Sequence, residues 1–365
     1  MQVLDLMNTY DNWEEILTQS PYCISVRRDG DYILLKYNQL SSDFSLPIVR
    51  ECRGSIFYKN EDGKYECVCR AFDKFGNYSE GYVPEIDWDS AAVEEKVDGA
   101  LIRLFNHNNR WHVATNGTID AYKAEVGETG WTFGRLFDAA IKNVLVSSFF
   151  DGLDQHMTYM FELVSPRSKV TIYYPETRLY YLGCRDMTTM QECTVYYSVM
   201  READILYPKV YPLNNLEDCL AYVKSMTKDE EGFVVKDKNF NRIKIKSPEY
   251  LMAFHMNNNG VVTTRRIINM IKGNYIDDFM AYCPEHKDSV QEVFNGISNL
   301  AKSLEDTWAR CKDTAAANRQ VFSCVIKNLP YQDFLWKRYD NPDYNTLDYI
   351  MSKPDKKIKE MIKGE

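Results

Sequence analysis

The hydrophobic period of the sequence changes near residue 248, and this change constrains the fold more than any other feature. Between residues 22 and 246, short runs rich in β-branched and aromatic residues follow one another with few helical patterns between them. Beyond residue 248, apolar residues recur at helical spacing, most clearly from Val290 to Trp308. We therefore expect an α+β protein, with packed antiparallel sheets in residues 1–250 and an all-helical domain in residues 251–365.

The strand pattern recurs along the first part of the chain. The predicted strands span residues 22–27, 32–37, 54–58, 65–70, 100–105, 111–115, 159–164, 170–174, 179–184, 232–236 and 242–246. An amphipathic helix is predicted from Trp131 to Leu145, and another at 216–224, after two asparagines. Prolines predict the starts of short C-terminal helices at positions 330, 342 and 354.

Composition and charge narrow the class of protein. With 365 residues, 45% of them hydrophobic and 27% charged, the chain is long enough for two globular domains and unlike a disordered or fibrous chain. The net charge of −9 excludes a protein that coats long stretches of nucleic acid by charge neutralisation. No apolar run approaches the ~18 residues of a membrane span, and the first residues do not resemble a signal peptide. Because the ten cysteines are scattered singly, we expect free thiols and a reducing compartment. Together with the absence of such a run and of signal-peptide features, this predicts a cytoplasmic protein with no membrane contact.

Charged residues at the ends and in the middle of predicted strands carry the chemical signal. Lys96 ends one strand, and Glu162 lies inside an apolar strand, where an unpaired carboxylate is costly. Glu231 precedes another strand, and Lys244 and Lys246 lie on one face of the last one, because strand side chains alternate. Each residue alone is most simply a solvated surface group. Together they predict one pocket that contains a nucleophilic lysine, two carboxylates and a cationic pair.

The order of these motifs resembles that of the covalent nucleotidyltransferases, which comprise DNA ligases, RNA ligases and capping enzymes. Within them the sequence is most similar to the bacteriophage RNA ligase 1 family, whose members repair single-stranded RNA and tRNA. The motifs that carry this resemblance are Glu51-Cys-Arg53-Gly, Arg70-x-x-x-Lys74-Phe75-Gly76-Asn77, Lys96-x-Asp98-Gly99, Phe161-Glu162, residues 179–184, Glu231-Gly232, Lys244-x-Lys246 and the run from Lys246 through Tyr250 to His255. The resemblance implies an antiparallel-sheet nucleotidyltransferase domain, similar to ATP-grasp ligases, before the helical domain.

The resemblance implies that Lys96 attacks ATP and forms a lysyl-adenylate. A lysine with the usual pKa of about 10.4 is protonated at neutral pH, so its charged form must be disfavoured before it can attack phosphorus. We expect Lys244, Lys246 and a bound divalent metal to lower the pKa of Lys96. The same cations would stabilise the charge that develops on the α-phosphate.

Further residues acquire expected roles from the same resemblance. Glu162 would bind the ribose hydroxyls and Glu231 the metal, Mg²⁺ with Mn²⁺ as an alternative. The remaining residues expected at the cofactor are Arg53 and Lys74 on the β and γ phosphates, Leu182 and Val234 on the two faces of adenine, and Glu95 and Val97 beside the nucleophile. Core packing explains Leu182 and Val234 equally well. Asp98 is expected to shape the turn after Lys96, and Tyr250 and His255 to contact nucleotide or RNA.

Two positions depart from the pattern of the family. Asn116 stands where the family often has a basic residue, which removes one expected contact to the triphosphate. Lys123 or Arg135 is the expected replacement. Gly76 stands where the family tends to have a second phenylalanine, which removes a packing or stacking group.

These observations together predict an ATP-dependent RNA ligase. The expected substrates are RNA ends that carry a 5′-phosphate and a 3′-hydroxyl, including a nicked tRNA selected by the helical domain. We expect a monomer in the cytoplasm. If the gene belongs to a bacteriophage, this is the cytoplasm of the host. The alternatives are a DNA ligase, a capping enzyme, or a catalytically inactive RNA-binding protein of the same fold, and the helical period of the C-terminal region counts against the first two.

Overall fold

Three antiparallel sheets make up most of the first part of the chain in the computed structural model. It describes residues 1–39, 41–127, 129–141, 146–193, 198–251, 262–273, 276, 279–280, 286–342 and 344–363. The first sheet has the order β1-β2-β3-β4, with strands Ile24–Asp29, Tyr32–Tyr37, Arg53–Lys59 and Tyr65–Cys69. The second has the order β10-β9-β8-β6-β7; in chain order its strands are Ala100–His107, Arg110–Thr115, Met157–Val164, Arg178–Asp186 and Glu192–Cys193. The third has the order β11-β5-β12-β13; in chain order its strands are Ala92–Glu95, Val210–Tyr211, Gly232–Lys236 and Arg242–Lys246.

Helices cover the sheets in the first part and form the second part. Contacts between residues divide the chain into two compact units, Met1–Gly260 and Val261–Glu365. Helices of the first unit are Gln2–Thr9, Trp13–Thr18, Pro47–Glu51, Phe133–Ala140, Val146–Asp151, Ser198–Glu202 and Leu216–Val223. Those of the second are Thr264–Gly273, Lys287–Ala317, Arg319–Ile326, Gln332–Asp340, Thr346–Met351 and Asp355–Lys363. The predicted α+β class, with antiparallel sheets followed by helices, is confirmed.

The third sheet packs one face against apolar side chains. Phe233 and Val235 of β12 are fully buried in a cluster with Cys219 and Val223 of the helix Leu216–Val223. Val234 lies between them in the strand and is only partly buried. Because strand side chains alternate, Val234 lies on the face of the third sheet that is opposite this core.

Two predicted elements differ from the structure. Residues 170–174 form no strand, because two backbone N–H groups of this segment donate to the side chain of Asp98 instead of to a strand. The predicted helix from Trp131 begins at Phe133, since the Thr132 hydroxyl caps it, and ends at Ala140. Residues 142–145 of that prediction lie outside the described residues. The strand predicted to end at Lys96 is β5, which ends at Glu95, whereas the short strands β10 and β11 were not predicted.

None of the helices described is long and apolar enough to cross a membrane.

Candidate active site

A buried carboxylate joins two lysines where strands β5, β12 and β13 meet. The Lys96 backbone N–H donates to the carbonyl of Gly232 at 2.8 Å, which places Lys96 beside Glu231. Lys96 Nζ donates to Glu231 Oε2 at 2.8 Å, and Lys246 Nζ lies 2.7 Å from Glu231 Oε1. The side chains of Glu231 and Lys246 are 3% and 4% exposed, whereas that of Lys96 is 20% exposed. Lys96 is therefore the most exposed member of this cluster.

Register along β12 and β13 sets which side chains share this face. Gly232 pairs with Lys246 and Val234 with Lys244, and residues paired across a ladder point to the same side. Lys244 also pairs through its backbone with the segment that follows Lys74. Its N–H donates to the Gly76 carbonyl at 3.0 Å, and its carbonyl accepts the N–H of Tyr78 at 3.1 Å. This pairing brings the predicted motif at residues 70–77 next to β13, which carries Lys244 and Lys246 and is called the cationic strand below.

Gly232 is required by the approach of the neighbouring strand. Its φ is +135°, and a Cβ at this position would lie 2.1 Å from the carbonyl oxygen of Ile245. The structure shows that this glycine admits the backbone of β13, which is how Glu231 reaches Lys246.

Two further carboxyl groups face the same lysine. The pKa of Glu162 is raised to about 7, chiefly by burial, with Lys96 opposing the shift and Glu231 adding to it. The pKa of Asp98 is raised to about 6, again chiefly by burial and then by the charge of Glu231. Three carboxyl groups around one accessible lysine are typical of a functional site, where ionisable groups are buried and their pKa values are shifted.

Asp98 has a different partner from the one predicted. Its Oδ2 accepts the N–H groups of Thr171 at 2.9 Å and Ile172 at 2.7 Å, and its Oδ1 accepts the hydroxyl of Tyr250 at 3.0 Å. The expectation that Asp98 shapes its own turn is therefore wrong. It joins the segment after Lys96 to the loop that contains residues 171–172 and to Tyr250, which lies beyond the end of β13. His255 lies outside the described residues.

Arg53 and Lys74 both lie against aromatic rings. Arg53 Cζ is 4.5 Å from the ring centroid of Phe72, and its Nη1 is buried with no hydrogen-bond partner among the described residues. Lys74 Nζ is 5.0 Å from the ring centroid of Phe44 and 5.4 Å from that of Tyr37. A buried guanidinium N–H without an acceptor is costly, so the Arg53 group fits an anionic ligand.

The other residues predicted to contact the cofactor differ in their burial and in their contacts. Leu182 is half-buried and packs against a small apolar cluster, and Val234 is half-buried on the face of Lys244. Val97 is buried. The Glu95 carboxylate accepts the backbone N–H of Lys209 at 3.3 Å, so its side chain faces residue 209.

Lys36 is a cation near the site that we did not predict from the sequence. A Cβ on Gly54 would lie 2.6 Å from the Asn116 carbonyl oxygen, which places Asn116 beside the residue that follows Arg53. Lys36 pairs with Arg53 across the β2–β3 ladder. Its Nζ lies 3.8 Å from the position of a Cβ on Gly117. The partner strand supplies this cation, and a motif along one segment of sequence cannot reveal it.

The two replacements predicted for Asn116 are placed elsewhere on the surface. Lys123 is exposed and pairs with Asp29 at 2.6 Å, at the opposite end of the β1–β2 ladder from Lys36. Arg135 is exposed in the first turn of its helix. The structure therefore places Lys36 beside Gly117, the residue that follows Asn116, whereas Lys123 pairs with Asp29.

The sequence profile of a family described as RNA ligase matches residues 51–250, which hold all of the predicted site residues given above except His255. The chain belongs to this RNA ligase family. A relative that this ligase sequence matches is a proposed bifunctional polynucleotide kinase/RNA ligase of Autographa californica nuclear polyhedrosis virus, 29% identical over 83% of the chain and 44% of the viral protein. The chain thus spans less than half of that protein. An RNA ligase of Rhodothermus phage RM378 is 23% identical over 78% of each chain.

Solved structures similar to this chain include form 1 and form 2 of an archaeal ATP-dependent RNA ligase. Both are 13% identical to it, each with a TM-score of 0.46. The first match covers 74% of this chain and 68% of the archaeal chain, and the second covers 82% of each.

Proposed function

We propose that the protein is an ATP-dependent RNA ligase that joins a 5′-phosphate to a 3′-hydroxyl through lysyl-AMP and RNA-adenylate intermediates. The observation that supports this most strongly is the position of Lys96, an accessible amine held by a buried carboxylate beside a cationic strand. In the first step Lys96 Nζ bonds to the α-phosphorus, the bond to pyrophosphate breaks and Nζ loses a proton. The RNA 5′-phosphate then displaces Lys96, and the 3′-hydroxyl displaces AMP.

The cations around Lys96 divide between the reacting phosphate and the leaving group. Lys244 and Lys246 lie on the strand beside the nucleophile, so they would stabilise charge on the α-phosphate. Arg53 and Lys74 would orient pyrophosphate as it leaves, with Lys36 supplying the cation that Asn116 does not. Catalysis of this kind depends mainly on positioning and on charge stabilisation.

Carboxylates and apolar side chains would hold the nucleoside. Glu162 would accept the ribose hydroxyls, and Leu182 and Val234 would contact the two faces of adenine. Val97 and Glu95 would support the segment on either side of Lys96, through burial and through the bond to Lys209.

A divalent cation, Mg²⁺ or alternatively Mn²⁺, fits the donor chemistry of the site, but the protein would supply few of its ligands. Among the described residues, no group of three or more His, Cys, Asp or Glu side chains could hold a metal ion. Glu231 would contribute carboxylate oxygen, and water and substrate phosphate would complete the coordination, as is usual for Mg²⁺. When bound, the cation would neutralise phosphate charge. Glu231 is held by two lysines, so a cation there would compete with Lys96 for its carboxylate.

The wider assignments follow from the same proposal. Residues 1–250 would form the adenylyltransferase domain, and the helical domain, residues 251–365, would select the RNA, a nicked tRNA among the candidates. We propose a monomer, because one chain contains every residue assigned above to the reaction.

Ligation of labelled RNA tests the proposed function. A single-stranded RNA with a labelled 5′-phosphate is incubated with the protein, ATP and Mg²⁺, and resistance of the label to phosphatase is measured. Resistance is expected with RNA and ATP, and not when GTP replaces ATP. Resistance with a DNA strand but not with RNA would favour a DNA ligase. Absence of resistance with either nucleotide or strand would favour an inactive RNA-binding protein.

The pKa of Glu162 predicts a pH dependence of ATP use. Since this pKa is about 7, the carboxyl is neutral below that pH and ionised above it, and the ionised form accepts hydrogen bonds from ribose more strongly. The KM for ATP in self-adenylation should therefore fall as the pH rises through about 7. Glu162→Gln cannot ionise, and the titration of ATP affects both proteins equally. A ratio of the two KM values that does not change with pH would contradict this role.

A further inference from the structure

We propose that Glu192 is a positioning residue for self-adenylation, because it fixes the arginine that supports Arg53 through a shared aromatic ring. This inference rests on the proposed function and adds a residue that neither the motifs nor the active-site cluster contains. Glu192 begins the short strand β10, at the edge of the second sheet, whereas the site around Lys96 is built on the third.

Glu192 bridges two buried guanidinium groups. Its Oε1 accepts Arg185 Nη2 at 2.8 Å, and its Oε2 accepts Arg242 Nη2 at 2.6 Å. The three side chains are only 6%, 6% and 7% exposed. A carboxylate that accepts one charged donor on each oxygen is held in one orientation, and it holds both donors in turn.

Arg242 connects this bridge to the cationic strand. It begins β13, and Lys244 and Lys246 follow it at alternate positions, so the three cations lie on one face of the strand. Glu192 therefore joins the second sheet to the third at Arg242, the first residue of the cationic strand.

Phe72 connects the bridge to the proposed triphosphate site. Arg242 Cζ lies 4.9 Å from the Phe72 ring centroid, and Arg53 Cζ lies 4.5 Å from the same centroid. Arg185 Nε donates to the carbonyl of Ala71 at 3.1 Å, so the other arginine held by Glu192 fixes the backbone next to this ring. Both arms of the Glu192 bridge thus end on residues 71–72, against which Arg53 rests.

The charge around the bridge explains why a carboxylate is needed. Burial lowers the pKa of Arg185, and nearby Arg70 and Arg242 lower it further, whereas Glu192 and Asp73 raise it. Without the Glu192 charge, buried guanidinium groups would repel one another with less compensation. We expect Arg242 and Phe72 to move, and Arg53 to lose the ring that supports it.

Measuring self-adenylation and sealing separately distinguishes this positioning role from a general effect on stability. Self-adenylation needs the triphosphate, and therefore Arg53, whereas sealing of pre-adenylated RNA contains no triphosphate. Glu192→Gln should raise the KM for ATP about tenfold or more and leave the sealing rate of pre-adenylated RNA within about twofold, because a small misplacement of a binding group has a large effect only on the step that uses it. Glu176→Gln is the matched control, because Glu176 is an exposed carboxylate whose arginine partner, Arg178, lies outside the site.

A second variant keeps the proposal testable if Glu192→Gln does not fold. Phe72→Leu leaves the Glu192 bridge intact and removes only the ring between the two arginines, so it should raise the KM for ATP in the same way. An unchanged KM in either folded variant, or an equal loss of both reaction steps, would overturn the proposal. Failure of the wild-type protein to form an adduct with ATP would instead overturn the proposed function.

Discussion

Lys96→Ala is expected to abolish the transfer of AMP from ATP to the protein. Alanine has no nucleophilic atom, and Lys246 cannot replace Lys96, because its amine is almost fully buried against the same carboxylate. The measurement is the amount of labelled AMP that remains on the protein after denaturing electrophoresis. Lys238→Ala is the matched control, since Lys238 is an exposed lysine paired with Asp87.

The same variant should retain one half of the reaction. In the proposed reaction Lys96 bonds to AMP before the RNA does, so an RNA that already carries AMP no longer needs this amine. We expect Lys96→Ala to seal pre-adenylated RNA while it fails with ATP. Labelling of the variant at the wild-type level would show that another residue is the nucleophile.

Gly232→Ala is expected to destabilise the protein by about 2–5 kcal/mol, from a strained positive φ together with overpacking. The added Cβ would meet the carbonyl oxygen of Ile245 at 2.1 Å and Lys246 Cα at 2.8 Å, both of which are backbone atoms of β13. The strands must then separate, and Glu231 must move away from Lys246. The measurement is the midpoint of urea unfolding, together with self-adenylation of the protein that remains folded.

Gly81→Ala is the control for this substitution. No atom lies within 4 Å of a Cβ at Gly81, and its φ is not positive, so alanine should change the unfolding midpoint little. Equal midpoints for the two variants would show that β12 and β13 are not held as closely as the structure indicates.

Short runs of β-branched and aromatic residues predicted the strands that build the site. The bounds of β2, β12 and β13 agree with the prediction residue for residue, because each is a short run that contains such residues. Residues 170–174 have the same composition but bind Asp98 through their backbone. Composition cannot reveal that a distant carboxylate takes the place of a strand partner.

Motif order predicted the groups that meet around Lys96 but not the residues that support them. Glu231 and Lys246 could be assigned to one pocket with Lys96, because each stands at a strand end in a recognisable motif. Lys36 and Glu192 could not, since each reaches its position by pairing between strands or sheets that are distant in sequence. Side chains that act across a ladder or between sheets leave no fixed spacing in the chain.

The position of AMP on the wild-type protein decides whether Lys96 is the nucleophile. The protein is incubated with Mg²⁺ and ATP labelled at the α-phosphate, digested with a protease, and the modified peptide is sequenced by mass spectrometry. We expect a single AMP group on the peptide that contains Lys96, attached to that residue. AMP on a different residue, or no adduct with ATP, GTP or NAD⁺, would contradict the assignment.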